Sequence, residues 1–307
     1  MNRIFLTGST GLIGGAIRRL AQRTPGISLR VLVRTADSRD FEGSETVVGD
    51  LLEPSSLRDA MRDCDVLVHA ASYLGEDPAL QKATNVAGTE ALLWEAKRVG
   101  VRTIISFSNT AVYGRTELSG QSVLQLRPDP LSLLSRTRLA ADMLVAEAGG
   151  LILRTNVVYG RGDRLVVPSL VAFTRRLGAL VDGGRSRISV IRADQLAAVV
   201  LGLVGRSSSE PVRGVLHTAL PAPVTVRDVL TMAATPLAWT LPSVTVSAAE
   251  ASAQRARSGV SAGQLAMVSQ DRWVDSQEIW DLSGVQAPEG VALDDAAIQW
   301  YQQTVAE

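Results

Sequence analysis

Three glycines spaced three residues apart stand near the start of the chain, within the segment Thr7-Gly8-Ser9-Thr10-Gly11-Leu12-Ile13-Gly14. This spacing would allow a tight turn at Gly8, a close backbone approach to a ligand at Gly11 and helix–strand packing at Gly14. An apolar segment precedes the turn and a helical pattern follows it, so free N–H groups at the helix N-terminus would face phosphate oxygens. We therefore predict a dinucleotide site that is formed by Thr7, Gly8, Thr10, Gly11, Leu12, Ile13 and Gly14.

The end of the second predicted strand, 28–34, indicates which dinucleotide this turn would bind. An Asp or Glu at that point binds the ribose 2′-hydroxyl of NAD, whereas this chain has Arg34 followed by Thr35. A guanidinium suits a 2′-phosphate because it forms charge-assisted, bidentate hydrogen bonds. NADPH rather than NADH is the expected cofactor, and the alternative interpretation of Arg34 is an exposed arginine that merely ends a strand.

Strand-like and helix-like segments alternate through the first two thirds of the chain. The predicted strands are 3–7, 28–34, 46–48, 65–69, 101–107 and 151–156, and the predicted helices are 12–22, 55–62, 79–99 and 133–148. Apolar strands separated by helices are typical of a parallel sheet that is covered on both faces. We predict an α/β fold, a Rossmann doubly wound parallel sheet with a smaller C-terminal substrate-binding region.

The alternation weakens after about residue 160, so we predict a dinucleotide-binding domain, 1–160, and a mixed region, 161–307. Predicted strands 188–191 and 214–218 and a predicted helix, 194–204, would complete the sheet in part. The segment 240–268 is largely rich in Ala, Ser, Gln and Arg, a composition that suits a lid over the substrate.

The composition excludes several classes of function. Lys plus Arg and Asp plus Glu balance at 31 each, which removes the electrostatic case for a nucleic-acid or membrane-surface partner. The single cysteine, Cys64, and two distant histidines, His69 and His217, argue against a metal site. The chain begins in a strand without a leader, and no apolar run reaches the roughly 18 residues of a membrane span. We expect a cytoplasmic protein.

Several further segments combine with the glycine turn. They are Gly49-Asp50-Leu51, His69-Ala70-Ala71-Ser72, Asn85-Val86-Ala87-Gly88-Thr89, Val112-Tyr113-Gly114, Arg154-Thr155-Asn156-Val157-Val158-Tyr159-Gly160 and Asp194-Gln195-Leu196-Ala197. Together they resemble the extended short-chain dehydrogenase/reductases over essentially the whole chain. The resemblance implies a set of further cofactor contacts. The adenine would be flanked by Asp50 and Leu51, the ribose and diphosphate lined by Ala70, Ala71 and Ser72, and the nicotinamide held by Thr155 and Val157.

The resemblance fails where that family performs its catalysis. Its members use a Tyr-x-x-x-Lys pair to move the carbonyl proton, but here Leu134 and Arg138 stand at those positions. Arg138 would replace the lysine near the nicotinamide ribose, unless it is a solvated helix arginine. The family's serine falls on Asn109, so Ser108, Asn109 and Thr110 are the candidates to hydrogen-bond a carbonyl oxygen, or are strand-end polar residues that cap the backbone. Thr155 replaces the usual proline.

Three functions remain open. The first is an NADPH-dependent ketoreductase of a small-molecule, aromatic polyketide-like ketone, in which substrate or water supplies the proton. Because it lacks the tyrosine, the sequence resembles the atypical reductases of polyketide antibiotic pathways. The second is a catalytically silent NADP(H)-sensing regulator, and the third is a sugar-nucleotide epimerase or dehydratase, which would need the missing tyrosine. We expect a monomer or a homodimer. Many family members dimerise through the helices around 80–99 and 133–148, but this chain lacks the tyrosine of the second helix and can differ from them.

Overall fold

The computed structural model describes residues 2–35, 41–206, 211–258 and 262–305, without the side chains of 254–258, 262, 263 and 305. Its strands are β1 (Asn2–Thr7), β2 (Ile27–Val33), β3 (Glu45–Val48), β4 (Val66–His69), β5 (Thr103–Asn109), β6 (Leu118–Gln121), β7 (Leu151–Thr155), β8 (Val157–Tyr159), β9 (Leu180–Val181), β10 (Arg187–Ile188), β11 (Val190–Arg192), β12 (Gly214–His217), β13 (Val224–Thr225), β14 (Thr245–Val246) and β15 (Arg272–Val274).

The helices follow the strands in alternation over the first half of the chain. They are α1 (Leu12–Ala21), α2 (Pro78–Lys82), α3 (Gly88–Val99), α4 (Leu133–Glu147), α5 (Val166–Leu177), α6 (Ala193–Arg206), α7 (Val226–Ala234), α8 (Ala248–Ser258), α9 (Ala262–Ser269), α10 (Gln277–Ser283) and α11 (Asp295–Val305). A π-helical turn, Ala83–Ala87, joins α2 to α3, so the predicted helix 79–99 is one continuous helical stretch. No described helix is long and apolar enough to cross a membrane.

Seven parallel strands form the main sheet in the order β3-β2-β1-β4-β5-β7-β12. The strand order reverses between β1 and β4, and ligands of such sheets bind in the crevice at the carboxyl ends beside that reversal. The sheet confirms the predicted Rossmann-like α/β class. Its last strand, β12, comes from the second half of the chain.

Both faces of the main sheet are covered, which explains why its central strands are apolar without alternation. All four residues of β4 are buried. On one face Ile4, Leu6 and Val68 belong to the core that includes α1 and α6, and on the other face Phe5 and Leu67 belong to the core beneath α3. Packing on both faces therefore fixes the strands, and with them the residues that follow each strand at the carboxyl edge of the sheet.

Two predicted elements were wrong in form. The predicted helix 55–62 is a single 3-10 turn, Pro54–Leu57, followed by turns in which Asp59 and Asp63 adopt left-handed backbone angles. The predicted strand 188–191 is two short strands, and β10 joins the mixed sheet β13-β10-β15-β6 whereas β11 pairs with β8. The apolar run alone did not reveal this division. The segment predicted as a lid contains α8 and most of α9, and its residues 259–261 lie outside the described residues.

Both histidines are buried and make hydrogen bonds that tie strands to other elements. His69, in β4, contacts the Thr7 hydroxyl through Nδ1 at 2.8 Å and the Thr89 hydroxyl through Nε2 at 3.0 Å. His217, in β12, contacts the Tyr113 hydroxyl through Nε2 at 2.8 Å and the Asp275 carbonyl through Nδ1 at 3.2 Å. Burial lowers the pKa of each histidine to about 4.

These buried neutral histidines predict acid sensitivity. Their pKa values rise to about 6.5 on unfolding, so the stability they contribute is complete above pH 6.5 and is lost as the pH falls toward 4. We expect the free energy of unfolding to fall by about 2 kcal/mol per histidine between pH 7 and pH 5. Urea denaturation at pH 7, 6 and 5 measures this, and His217→Gln should remove about half of the loss. An unchanged pH dependence in that variant would contradict the assignment.

Candidate active site

The glycine turn between β1 and α1 is closed by backbone contacts that leave no room for side chains. Gly8 has φ +70°, and a Cβ there would lie 2.6 Å from the carbonyl carbon of Ala70. A Cβ on Gly14 would lie 2.2 Å from the carbonyl oxygen of Gly8. The Gly8 approach therefore places the turn against the chain that follows β4, and the Gly14 approach packs the start of α1 on the turn.

The first turn of α1 suits an anion. Its N-cap residue, Gly11, provides no side-chain cap, and no acidic residue lies in the first turn. The N–H groups at this end therefore remain available to phosphate oxygens, which the positive end of the helix dipole also favours. The turn fits the diphosphate of a dinucleotide, and Thr7, Thr10, Leu12 and Ile13 lie in or beside it.

The chain after β4 is braced from two sides. The Ala71 N–H donates to the Thr7 hydroxyl oxygen at 3.2 Å, which links it to the glycine turn. The Ser72 hydroxyl donates to Asn85 Oδ1 at 3.1 Å, and Asn85 also bonds both the N–H and the carbonyl of Tyr73. Asn85 thus positions the segment Ala70–Ser72, a role that its motif did not reveal in the sequence.

The residues predicted to face the adenosine end lie at neighbouring strand ends. Arg34 is exposed directly after β2, and Asp50 and Leu51 follow β3, which pairs with β2. The Asp50 carboxylate accepts from the Leu52 N–H at 2.9 Å, and Leu51 is buried against Gly88. The three side chains therefore share one corner of the carboxyl edge.

At the end of β5 the three candidate polar residues have different partners. The Ser108 hydroxyl donates to Asp142 Oδ2 at 2.9 Å, and the Thr110 hydroxyl donates to Asn156 Oδ1 at 3.0 Å. Asn109 Oδ1 accepts from the Ala111 N–H at 3.1 Å, which fixes the amide so that Nδ2 points elsewhere. Within the described part of the chain, the Asn109 NH₂ has no hydrogen-bond acceptor.

A buried ion pair lies behind β5. Arg154 donates to Asp142 Oδ2 through Nε at 3.2 Å and through Nη2 at 2.9 Å, and both side chains are about 6% exposed. Arg154 also donates to the Tyr113 hydroxyl at 3.0 Å, so Tyr113 in turn donates to His217. Burial raises the pKa of Asp142, against the opposing effects of Arg154 and Ser108. Tyr113 is engaged in this network and is fully buried.

The helix that carries the family's tyrosine and lysine in relatives is α4. Leu134 and Arg138 lie one turn apart on it, and Asp142 follows one turn later. Arg138 Nε is buried and has no hydrogen-bond partner among the described atoms. Burial lowers the pKa of Arg138, and Asp142 partly offsets that effect. An unpartnered buried guanidinium nitrogen at this place fits a polar group of a bound dinucleotide.

The segment expected at the nicotinamide lies beside β5. Asn109 is in register with Thr155 and Ser108 with Arg154, and the Thr155 hydroxyl donates to the Ser108 carbonyl at 3.3 Å. Val157 begins β8 and is buried. The structure thus brings the predicted residues that follow β1, β4, β5 and β7 to the carboxyl edge of the main sheet. Arg34, Asp50 and Leu51, after β2 and β3, lie at one end of this edge.

Comparison with known proteins agrees with this arrangement. The NAD dependent epimerase/dehydratase family matches residues 4–206. The 4-hydroxy-2-methyl-3-oxo-4-farnesyl-3,4-dihydroquinoline-1-oxide ketoreductase of Stigmatella aurantiaca is 30% identical over 245 residues, 75% of this chain and 72% of that protein. The ceramide reductase of Caulobacter vibrioides is 28% identical over 265 residues, 77% of this chain and 78% of that protein.

A solved structure shares the fold over almost its whole length. The Bordetella bronchiseptica enzyme WbmH in complex with NAD+ superposes with a TM-score of 0.75 at 18% identity, covering 99% of this chain and 100% of that one. The matched family and the names of the reductases indicate an oxidoreductase-type enzyme with a nicotinamide dinucleotide cofactor. With its glycine turn, seven-stranded sheet and match over more than half of its length, the chain belongs to the NAD dependent epimerase/dehydratase family.

Proposed function

We propose that the protein is an NADPH-dependent ketoreductase that reduces a polycyclic, aromatic polyketide-like ketone and takes the carbonyl proton from the substrate or from water. The observation that carries the proposal is Leu134 at the position of the family's tyrosine. Its alkyl side chain has no proton to give, while the dinucleotide turn is intact. When bound, the reduced nicotinamide supplies a hydride from its C4 position, and effective molarities from such positioning can be very large.

Asn109 is the residue that we assign to the substrate carbonyl. Its Nδ2 is a donor without a described acceptor, whereas the hydroxyl hydrogens of Ser108 and Thr110 are already donated to Asp142 and Asn156. A fixed amide donor aimed at an oxygen stabilises the negative charge that develops there. Ser108 and Thr110 would then orient the strand end rather than bond the substrate.

The proton would come from outside the protein. Arg138 remains a cation and cannot act as an acid, and the Tyr113 hydroxyl is buried between Arg154 and His217. A phenol adjacent to the carbonyl would serve, because its proton is already hydrogen-bonded to the oxygen that is reduced. The name of the Stigmatella relative supports a ring ketone as the substrate class, since it places a 3-oxo group on a dihydroquinoline.

The assignment to NADPH rests on Arg34. Its guanidinium is exposed at the corner where Asp50 and Leu51 follow β3, as a 2′-phosphate contact requires. The remaining proposed cofactor contacts are the glycine turn, the segment Ala70–Ser72, Arg138, Thr155 and Val157.

Substrate chemistry tests the proposed proton source. NADPH oxidation is measured with polycyclic ketones that carry a peri-hydroxyl, a peri-methoxy group or only hydrogen beside the carbonyl. We expect kcat to fall by about 10²–10⁴-fold when the hydroxyl is methylated or removed, because the reaction loses its acid. The hydrogen-bearing ketone controls for the bulk of the methyl group. Equal rates on all three ketones would contradict the substrate phenol as the proton source and leave water as the donor, and NADPH binding without oxidation of any ketone would favour a sensing regulator.

Conservative variants at the end of β5 test the role of Asn109. Asn109→Asp keeps the oxygen that caps the Ala111 N–H and removes the NH₂ donor, so we expect kcat to fall by about 10²–10³-fold. The kcat of Asn109→Ala should fall by as much as that of Asn109→Asp, because both variants lack the NH₂ donor. Thr110→Val, which removes a hydroxyl donated to Asn156, should cost less than tenfold. An equal or larger loss in Thr110→Val would show that the assignment of the donor is wrong.

Reversing the charge at Arg34 tests the cofactor preference. In Arg34→Asp the carboxylate repels a 2′-phosphate and can accept from a 2′-hydroxyl, so the Kd for NADPH should rise at least tenfold while that for NADH changes little. Fluorescence titration of the reduced nicotinamide measures both constants. Arg58→Asp, at another exposed position, is the control for net charge. A variant that binds both cofactors as the natural protein does would overturn the assignment to the 2′-phosphate.

A further inference from the structure

A recessed cavity of about 560 Å³ lies beside α1, where that helix meets the beginnings of α6 and α11. Four arginines line it, together with two carboxylates: Arg19, Arg23, Arg161, Arg192, Asp194 and Asp294. None of them belongs to the carboxyl-edge site described above. The volume lies within the range of small-molecule pockets in proteins.

The two carboxylates already have partners of their own. Asp194 is held by Arg192 in a fork, with Nε to Oδ1 at 2.5 Å and Nη2 to Oδ2 at 2.8 Å. Asp294 Oδ1 accepts from the Ala297 N–H at 2.8 Å in the first turn of α11. Neither carboxylate makes a described hydrogen bond or ion pair with Arg19.

The Arg19 guanidinium is crowded by like charges. It folds back along α1 over Gly15, where an added Cβ would lie 3.1 Å from Arg19 Nη1. Burial and, in decreasing order, the charges of Arg161, Arg18 and Arg23 together lower the pKa of Arg19 to about 10. The charge of Asp294 opposes them only in part. In the part of the chain that the structure describes, its guanidinium has no hydrogen-bond or ion-pair partner. A half-buried cation among other cations is unfavourable unless an anion joins it.

The charges indicate what that anion is. The four guanidinium groups less the two carboxylates leave an excess of two positive charges around the cavity. We propose that this cavity binds the phosphate group of a phosphorylated small molecule, at a site separate from the dinucleotide turn. A phosphate near neutral pH carries about two negative charges, and guanidinium groups pair with its oxygens in bidentate geometry. The recessed position between helices favours a small ligand over a protein surface.

Inorganic pyrophosphate is the probe for this site. The protein is saturated with NAD+ and NADP+ together, so that the dinucleotide turn is filled, and is titrated with pyrophosphate by calorimetry at constant ionic strength. We expect one equivalent to bind. Arg19→Gln combined with Arg161→Gln should raise the Kd at least tenfold. Arg58→Gln combined with Arg213→Gln removes two exposed arginines elsewhere and should leave the Kd as in the natural protein.

The stability of the unliganded variants separates a binding role from a structural one. Because Arg19→Gln with Arg161→Gln relieves repulsion, its Tm without pyrophosphate should equal or exceed that of the natural protein, and only the rise in Tm on adding pyrophosphate should be lost. A lower Tm without pyrophosphate would point to a structural role and overturn the proposal. So would absence of pyrophosphate binding, equal binding by both double variants, or equal affinity for citrate. Arg161→Gln alone should lose a smaller part of the rise in Tm on adding pyrophosphate.

Discussion

Close backbone approach at the start of α1 is the constraint on which the dinucleotide site depends. Gly8 lets the turn contact the chain after β4, where a Cβ would meet Ala70 at 2.6 Å. Gly14 lets the start of α1 pack on the turn, where a Cβ would meet the Gly8 carbonyl oxygen at 2.2 Å. The same approach sets the position of Thr7, whose hydroxyl joins His69 to the Ala71 N–H. The N-terminus of α1 and the strand ends beside it are thus parts of one packed unit.

A second fixed unit lies between α4, β7 and the end of β5. The Asp142–Arg154 pair connects α4 to β7, and Ser108 and Tyr113 complete the network. Removing one partner of a buried ion pair of this kind lowers the free energy of unfolding by about 3–5 kcal/mol. These side chains therefore stabilise the fold. The network also explains why Asn109 is the residue proposed to bind the substrate carbonyl. The Ser108 hydroxyl is engaged by Asp142 in this network, and the Thr110 hydroxyl is engaged by Asn156.

The sequence was sufficient for the main-sheet strands in their chain order and for naming residues that the structure places at one edge of that sheet. Glycine spacing and buried apolar runs are local signals, and β1, β2, β4, β5 and β7 lie within about two residues of their predicted bounds. The sequence was not sufficient where the role of a residue or the pairing of a strand depends on a partner far away along the chain. The role proposed for Asn109 depends on which groups accept from the hydroxyls of Ser108 and Thr110. Those groups, Asp142 and Asn156, are 34 and 46 residues away along the chain. The division of 188–191 between two sheets likewise depends on distant strands.

The central claim is that a hydride site persists here without a protein acid, and the pH dependence of the hydride step tests it most directly. Single-turnover oxidation of bound NADPH would be followed with two peri-hydroxy ketones whose phenols differ in pKa by about two units. The proposed mechanism predicts that the midpoint of the pH profile moves with the pKa of the substrate phenol, or that the profile has no midpoint when water is the acid. A midpoint that stays in place when the substrate changes would assign the proton to a group of the protein and contradict it.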